Sequence, residues 1–266
     1  MQFWKYQGAG NDFVLVDQRE RQWLTREDTH RIARLCDRRF GIGADGLILL
    51  QQKTGYDFEM VYFNADGRES TMCGNGGRCI VAFARHLGLI GETCCFWAID
   101  GAHEARLLPE RAAAPGAEWV ELKMIEVANI QRDGEAYVLN TGSPHYVRFV
   151  SGLDQVDMAE AGRLVRYSDR YQQAGINVNF AEANADGLSV RTYERGVEDE
   201  TLACGTGVTA AAIAWHLHKG ARPSAQSVPI QTQGGALAVR FEAHEDGTFS
   251  EIWLCGPATR VFVGDV

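Results

Sequence analysis

The stretch TMCGNGGR, Thr71 to Arg78, has a near twin in LACGTGVT, Leu202 to Thr209, so Cys-Gly-x-Gly occurs twice in one chain. Each copy opens an apolar segment of similar length. The pattern predicts helices from about Gly76 to Leu87 and from about Val208 to Lys219, followed by Gly88 and Gly220 where left-handed C-caps are expected. IVAFARHL and TAAAIAWHL are apolar nearly all round, and helices of that kind are buried in the middle of a fold.

Working outward, each cysteine is preceded by a strand-like run and a polar turn, FNADGRES at 63–70 and YERGVEDE at 193–200. Further back stand GAGNDFVLV and TGSPHYVRF, with Gly10 to Cys73 and Gly142 to Cys204 agreeing in spacing to within one residue. A repeat this long is not a solenoid period and points to gene duplication. Between the halves, PERAAAPGAEW at 109–119 holds Pro109, Pro115 and Gly116 and no apolar period, which marks a linker and divides the chain into 1–114 and 115–266. Strand-like runs at 12–17, 46–51 and 58–63 alternate with a helix predicted over 25–39, so the chain reads as α/β.

Composition narrows the function. The 266 residues are 45% hydrophobic and 23% charged, ordinary for a globular protein, and the net charge of −9 argues against nucleic acid as a partner. The N-terminal MQFWKYQGAGNDF lacks the pattern of a secretory signal, and no apolar run is long enough to span a membrane, so a cytoplasmic protein is expected. The seven cysteines are odd in number, which suits thiols rather than a disulfide framework. No Cys-x-x-Cys pair is present, and His216 and His218 point to different sides of a helix, so no metal site is expected. Gly41 to Gly46 spells G-x-G-x-x-G, but a helix precedes it and a strand follows, the reverse of a dinucleotide fingerprint; it reads as a tight turn.

A helix start offers unpaired N–H donors and a partial positive charge, which suit a carboxylate and favour a thiolate. One such cysteine could equally be a small buried residue. Two, in matching halves, suit a reaction that removes a proton from one face of a carbon and returns one to the other. A hydrolase using Cys73 with His145 is the alternative, and it leaves the second motif unexplained.

The set GAGNDFVLVD, FNADGRESTMCGNGGRC, TGSPHYV, GINVNF and YERGVEDETLACGTG resembles the diaminopimelate epimerase family in order and spacing across essentially the whole chain. The proline racemase-like relatives of that fold carry Cys-Gly-His where this chain has Asn75. The resemblance implies two pseudo-symmetric α/β lobes, each a mixed sheet or barrel wrapped around a central apolar helix, with the last strand possibly returning to the first lobe. It implies a cofactor-independent epimerase of LL- and meso-diaminopimelate, acting in lysine and peptidoglycan synthesis as a homodimer. Cys73 and Cys204 would be the proton donor and acceptor pair. Gly74, Asn75, Gly205 and Thr206 would hold the carboxylate at the reacting centre. Asn11, Asn64, Asn177, Glu194 and Arg195 match substrate-binding positions, and His145 and Glu194 match residues that influence the thiols. On propensity alone Asn11 and Asn64 are also ordinary turn residues, Arg195 an ordinary surface cation and His145 an ordinary core histidine. The chain departs from the family pattern at Ser143, where many relatives have Asn, and at Gly46, where some have Gln. It also carries one extra residue in GVEDETLA, between Arg195 and Cys204.

Overall fold

The structure is a computed structural model that describes residues 1–111 and 116–266. Its contacts divide the chain into two compact units, Met1–Leu122 with Gly256–Val266, and Lys123–Cys255. The junction expected between 114 and 115 falls on residues 112–115, outside the described ones. The strand that follows them pairs back into the first unit, which sets the division after Leu122.

The first unit is a closed barrel. Its strands are β1 (Gln2–Gly8), β2 (Asn11–Asp17), β3 (Gly46–Gln51), β4 (Phe58–Asn64), β5 (Thr93–Ala98), β6 (Gly101–Leu107) and β7 (Ala117–Lys123), with helices α1 (Thr29–Cys36) and α2 (Gly74–His86). Each strand bonds to the next, and a long final strand, Phe249–Asp265, joins β7 to β1 with its C-terminal half. The parallel pairs β2–β3 and β4–β5 need crossover connections, and α1 and α2 supply them. Helix α1 is shorter than the 25–39 expected. Asp28 accepts from Thr25 N and Oγ1, and Asp37 from Arg39 N and Phe40 N, and these side-chain turns bound the helix at both ends. The glycine-rich segment that follows is a turn into β3, with Ile42 N and Gly43 N bonded to Leu35 O.

Helix α2 is the axis of this barrel. Cys79, Ile80, Val81, Phe83 and Ala84 are all fully buried among Tyr6, Phe13, Ile48, Phe96 and Leu122. It starts at Gly74, with Cys73 as N-cap, so the thiol sits closer to the helix than the sequence suggests. It stops as expected: Gly88 adopts φ 71°, and Leu89 N returns to Ala84 O.

The second unit repeats most of this strand and helix order. Strands β8 (Ile130–Asp133), β9 (Ala136–Asn140), β10 (Pro144–Phe149), β11 (Asn177–Asn184), β12 (Gly187–Glu194), β13 (Asp199–Thr201), β14 (Ala225–Thr232), β15 (Gly235–Ala243) and β16 (Phe249–Asp265) accompany helices α3 (Met158–Arg166) and α4 (Gly205–His218). The order is β8-β9-β10-β11-β12-β14-β15-β16, with β13 beside β12. A bridge from Val127 to Phe249 brings the chain ahead of β8 to the start of β16. Again the two parallel pairs, β10–β11 and β12–β14, are crossed by helices, α3 outside and α4 within. Helix α4 is capped by Cys204, buries Val208 through Ala214, and ends at Gly220 with φ 61°. No helix among the described residues is long and apolar enough to cross a membrane.

One ionic cluster ties the first barrel's edge together. Lys5 Nζ lies 2.7 Å from Asp12, and Arg38 reaches both Asp12 at 2.6 Å and Asp45 at 2.7 Å. Burial works to raise the Asp12 carboxyl, but hydrogen bonds from Arg38 and Lys5 hold it well below its usual range.

Phe83 is fully buried, with its ring 4.9 Å from Trp4. Phe83→Ala should lower unfolding stability by about 3–5 kcal/mol in chemical denaturation. A loss under about 1 kcal/mol would deny α2 its place as the barrel's core. Because the folded Asp12 titrates below its ordinary value of 3.8, it stabilises the fold above that pH and loses this contribution as pH falls. The deficit of Asp12→Asn against the parent should therefore be full at neutral pH and shrink below pH 3.8; a deficit independent of pH would remove the charge from the account.

Candidate functional site

Both cysteines occupy the same local position. Cys73 and Cys204 have extended backbones (φ −94°, ψ 129° and φ −111°, ψ 113°), and their carbonyls accept the first helical bonds, from Gly77 N at 2.7 Å and Val208 N at 2.9 Å. A residue so placed carries its side chain beside the helix's first turn, whose N–H groups the helix itself cannot satisfy. Gly74 and Gly205 open the helices and set no side chain of their own over that backbone. Each thiol thus stands in the positive end of a helix field, Cys73 half-buried and Cys204 buried.

In the first unit the strand ends gather around this point. Strand β1 ends at Gly8, β2 and β3 begin at Asn11 and Gly46, and β4 ends at Asn64, all at one end of the barrel. Asn11 and Asn75 bond directly: Asn75 Nδ2 donates to Asn11 Oδ1 at 2.9 Å, and Asn11 Nδ2 donates to Asp45 at 2.6 Å. The buried Arg78 donates to Asn75 Oδ1 at 2.8 Å. Asn64 is exposed at the end of β4, and its backbone closes a turn with Arg68 and Gly67. At Gly46 a Cβ would lie 2.5 Å from Phe63 O and 2.6 Å from Tyr62 Cε2, so this chain has no room there for a longer side chain.

In the second unit the expected residues form two linked groups. Asn177 Nδ2 donates to Ser143 Oγ at 2.8 Å, and its Oδ1 accepts from Arg195 N at 2.8 Å. The exposed Arg195 guanidinium reaches Ser143 Oγ at 3.3 Å and Ala174 O at 3.1 Å. Ser143 therefore joins Asn177 to Arg195. Gly175 makes room for this arginine: it holds φ 75°, and a Cβ there would sit 2.5 Å from Arg195 Cδ. The second group is His145, fully buried, with Nε2 at 2.9 Å from Thr206 Oγ1, which in turn lies 3.5 Å from Cys204 Sγ. Burial, and then the charge of Arg195, pushes the His145 imidazole down to about 3, so it is neutral. Burial raises the Glu194 carboxyl, opposed by the Thr201 hydroxyl that donates to it at 2.9 Å.

The extra residue in GVEDETLA is absorbed by a turn in which Glu198 takes φ 60° and bonds back to Glu194 O at 2.8 Å. Its carboxylate binds Arg166 and Tyr167, and Glu200 binds Arg191, so both acids brace the hairpin. The sequence does not single out Asp45, Arg78 or Thr201, and it offers Ser143 only as a departure from the family pattern. Asn179, whose Nδ2 lies 3.1 Å from His145 Nδ1, alternates in NVNF onto the same face as Asn177.

The chain matches the model of the diaminopimelate epimerase family over residues 3–99 and 137–261. It is 48% identical over 264 residues to a diaminopimelate epimerase of Flavobacterium psychrophilum, covering 98% of each chain. It is 42% identical over 270 residues to one of Chlorobaculum tepidum, covering 97% of this chain and 98% of that one. Among solved structures, a PhzF-family phenazine biosynthesis protein of Bacillus anthracis has the same fold, with a TM-score of 0.78 at 14% identity over 100% of this chain and 98% of that one. A hydroxyproline epimerase from Agrobacterium vitis superposes with a TM-score of 0.67 at 14% identity, covering 99% and 91%. With a cysteine at the N-cap of each central helix, two units of similar strand order and relatives of this closeness over nearly its whole length, the chain belongs to the diaminopimelate epimerase family.

Proposed function

We propose that this protein interconverts LL- and meso-diaminopimelate without a cofactor, in lysine and peptidoglycan synthesis, with Cys73 and Cys204 as the proton donor and acceptor pair. The observation that carries the reading is that a cysteine stands at the N-cap of the central helix of each unit. The α-carboxylate of the reacting centre is assigned to the helix starts at Gly74, Asn75, Gly205 and Thr206, where backbone N–H groups and the helix field offset the charge that develops as the α-proton leaves. One thiolate takes that proton; the other thiol supplies a new one from the opposite face, so one S–H bond forms as another breaks. Arg195 is assigned to the remote carboxylate, with Asn177 and Ser143 steadying its backbone and guanidinium. Asn11 and Asn64 are assigned to the substrate's polar groups, Glu194 to its ammonium or to tuning a thiol.

We infer a cytoplasmic homodimer. None of the seven cysteines forms a disulfide, which suits a reducing compartment. Beyond its pairing with β7, strand β16 leaves Val261, Phe262 and Val263 about half exposed, an apolar run that a second copy would cover.

Run in D2O from LL-diaminopimelate and stopped early, the reaction should place deuterium at the inverted carbon of the meso product and leave recovered substrate almost unlabelled. Early label shared equally by both would sink the two-base mechanism, and no product without added cofactor would sink the assignment altogether. Cys73→Ala and Cys204→Ala should each abolish inversion. For the assembly, Phe262→Asp should convert a dimer to monomer in sedimentation velocity; a parent protein that is monomeric at tens of micromolar would refute the dimer.

A further inference from the structure

The two units differ in one layer of side chains beneath the capping thiols. Phe13 pairs with Gly46 as His145 pairs with Asn177, and Ile48 pairs with Tyr62 as Asn179 pairs with Thr192. Register therefore sets Phe13, Ile48 and Tyr62 in the first unit against His145, Asn179 and Thr192 in the second. The third residue after each cysteine is a glycine that rests on this layer. A Cβ at Gly76 would touch Ile48 Cδ1, Met60 Cε and the Phe13 ring; one at Gly207 would stand 2.5 Å from Asn179 Oδ1 and 3.2 Å from Thr192 Oγ1. Under α2 the layer is mostly apolar. Under α4 it is polar, and Gly207 is what lets the Asn179 amide come so close.

The polar layer can be read atom by atom, because the Tyr146 carbonyl can only accept. Asn179 Nδ2 must therefore face it, at 3.0 Å, while Asn179 Oδ1 accepts from the Thr192 hydroxyl at 2.9 Å. The same Nδ2 lies 3.1 Å from His145 Nδ1, which must then be the unprotonated nitrogen of a neutral ring. The ring proton stands on Nε2 and is donated to Thr206 Oγ1 at 2.9 Å. With its oxygen accepting, the Thr206 hydroxyl has its own proton to offer Cys204 Sγ, 3.5 Å away. The Thr206 carbonyl accepts from Thr141 Oγ1 at 2.8 Å, which fixes this residue from its other side. Arg195 is the charged group whose field reaches His145, and Glu194 stands beside it at the end of β12.

We propose that Asn179 and Thr192 are positioning residues that lock His145 as the Nε2–H tautomer, so that His145 serves as a fixed donor through Thr206 to the Cys204 sulfur and never takes that thiol's proton. The proposal rests on Cys204 being a reacting thiol. In it the Nε2–H and the Thr206 O–H bonds persist throughout, and only the bond between Sγ and its proton forms and breaks. A thiolate that receives a hydroxyl donor is favoured over the thiol, so the relay lowers the pH at which Cys204 ionises.

Histidine-selective 15N NMR of the full chain, without substrate and with His145 assigned through a His145→Asn variant, reads the tautomer directly. Nδ1 should be unprotonated and Nε2 protonated from about pH 5 to 9; a protonated Nδ1, or a charged ring at pH 7, overturns the proposal. Alkylation of Cys204 by iodoacetamide, followed by peptide mass spectrometry against pH, reads the other end of the relay. Thr206→Val should raise its midpoint by about one pH unit, and Thr206→Ser should restore it. Thr192→Val, which keeps the shape of the side chain, should turn the His145 signal into a tautomer mixture and raise the same midpoint. An unchanged signal and midpoint in that variant would remove Thr192 from the lock, since the Tyr146 carbonyl still holds the Asn179 amide, and the same result in Asn179→Leu would remove Asn179. Failure to epimerise diaminopimelate would instead count against the proposed reaction, since neither readout uses substrate.

Discussion

An α-helix buried in the middle of a unit begins with N–H groups that its own hydrogen bonds cannot satisfy, and both units of this protein are arranged around that fact. The first-turn N–H groups of α2 and α4 need acceptors or a ligand. Bulky side chains there would crowd the first turn, whereas Gly74 and Gly205 add none. The cysteine that caps each helix is then held beside an electropositive patch of backbone by the same geometry that ends the helix. Helix burial and cysteine placement thus meet at one point in each unit.

The surroundings of the two helix starts are not equivalent. The first is braced by charge: Arg78 holds Asn75, Asn75 holds Asn11, and Asp45 with Arg38 anchors the chain of bonds to the barrel edge. The second is braced by neutral groups, with a buried imidazole between an amide and a hydroxyl. Connectivity has been kept in both halves while the polar contents have diverged, as expected if the scaffold supplies position and side chains supply chemistry.

Much of this was legible in the sequence because the signals were local. The doubled Cys-Gly-x-Gly, the apolar run after each copy and the glycine at each end locate α2 and α4, since N-caps, burial and C-caps are written in neighbouring residues. Strands β2, β3 and β4 follow from short β-rich runs. Less legible was whatever depends on pairing across distance. The reading of 25–39 as a single helix missed that Asp28 and Asp37 spend their carboxylates on local turns. Neither the role of Ser143 nor the attachment of Asn11 to Asp45 can be read from spacing, because each depends on two strands meeting in a particular register. Asn179 was within reach, since alternation alone puts it on the face of Asn177, but nothing in the sequence says that a histidine waits opposite.

The path of β16 bears on how the protein is made. Its first residues pair with β15 and its last close the first barrel between β7 and β1. During synthesis the N-terminal barrel therefore stays an open sheet, with β1 and β7 as raw edges, until residues 256–265 emerge from the ribosome. The second unit is contiguous from Lys123 to Cys255. The earliest residues thus wait longest for their partner, and until it arrives the first unit carries two bare strand edges open to pairing elsewhere.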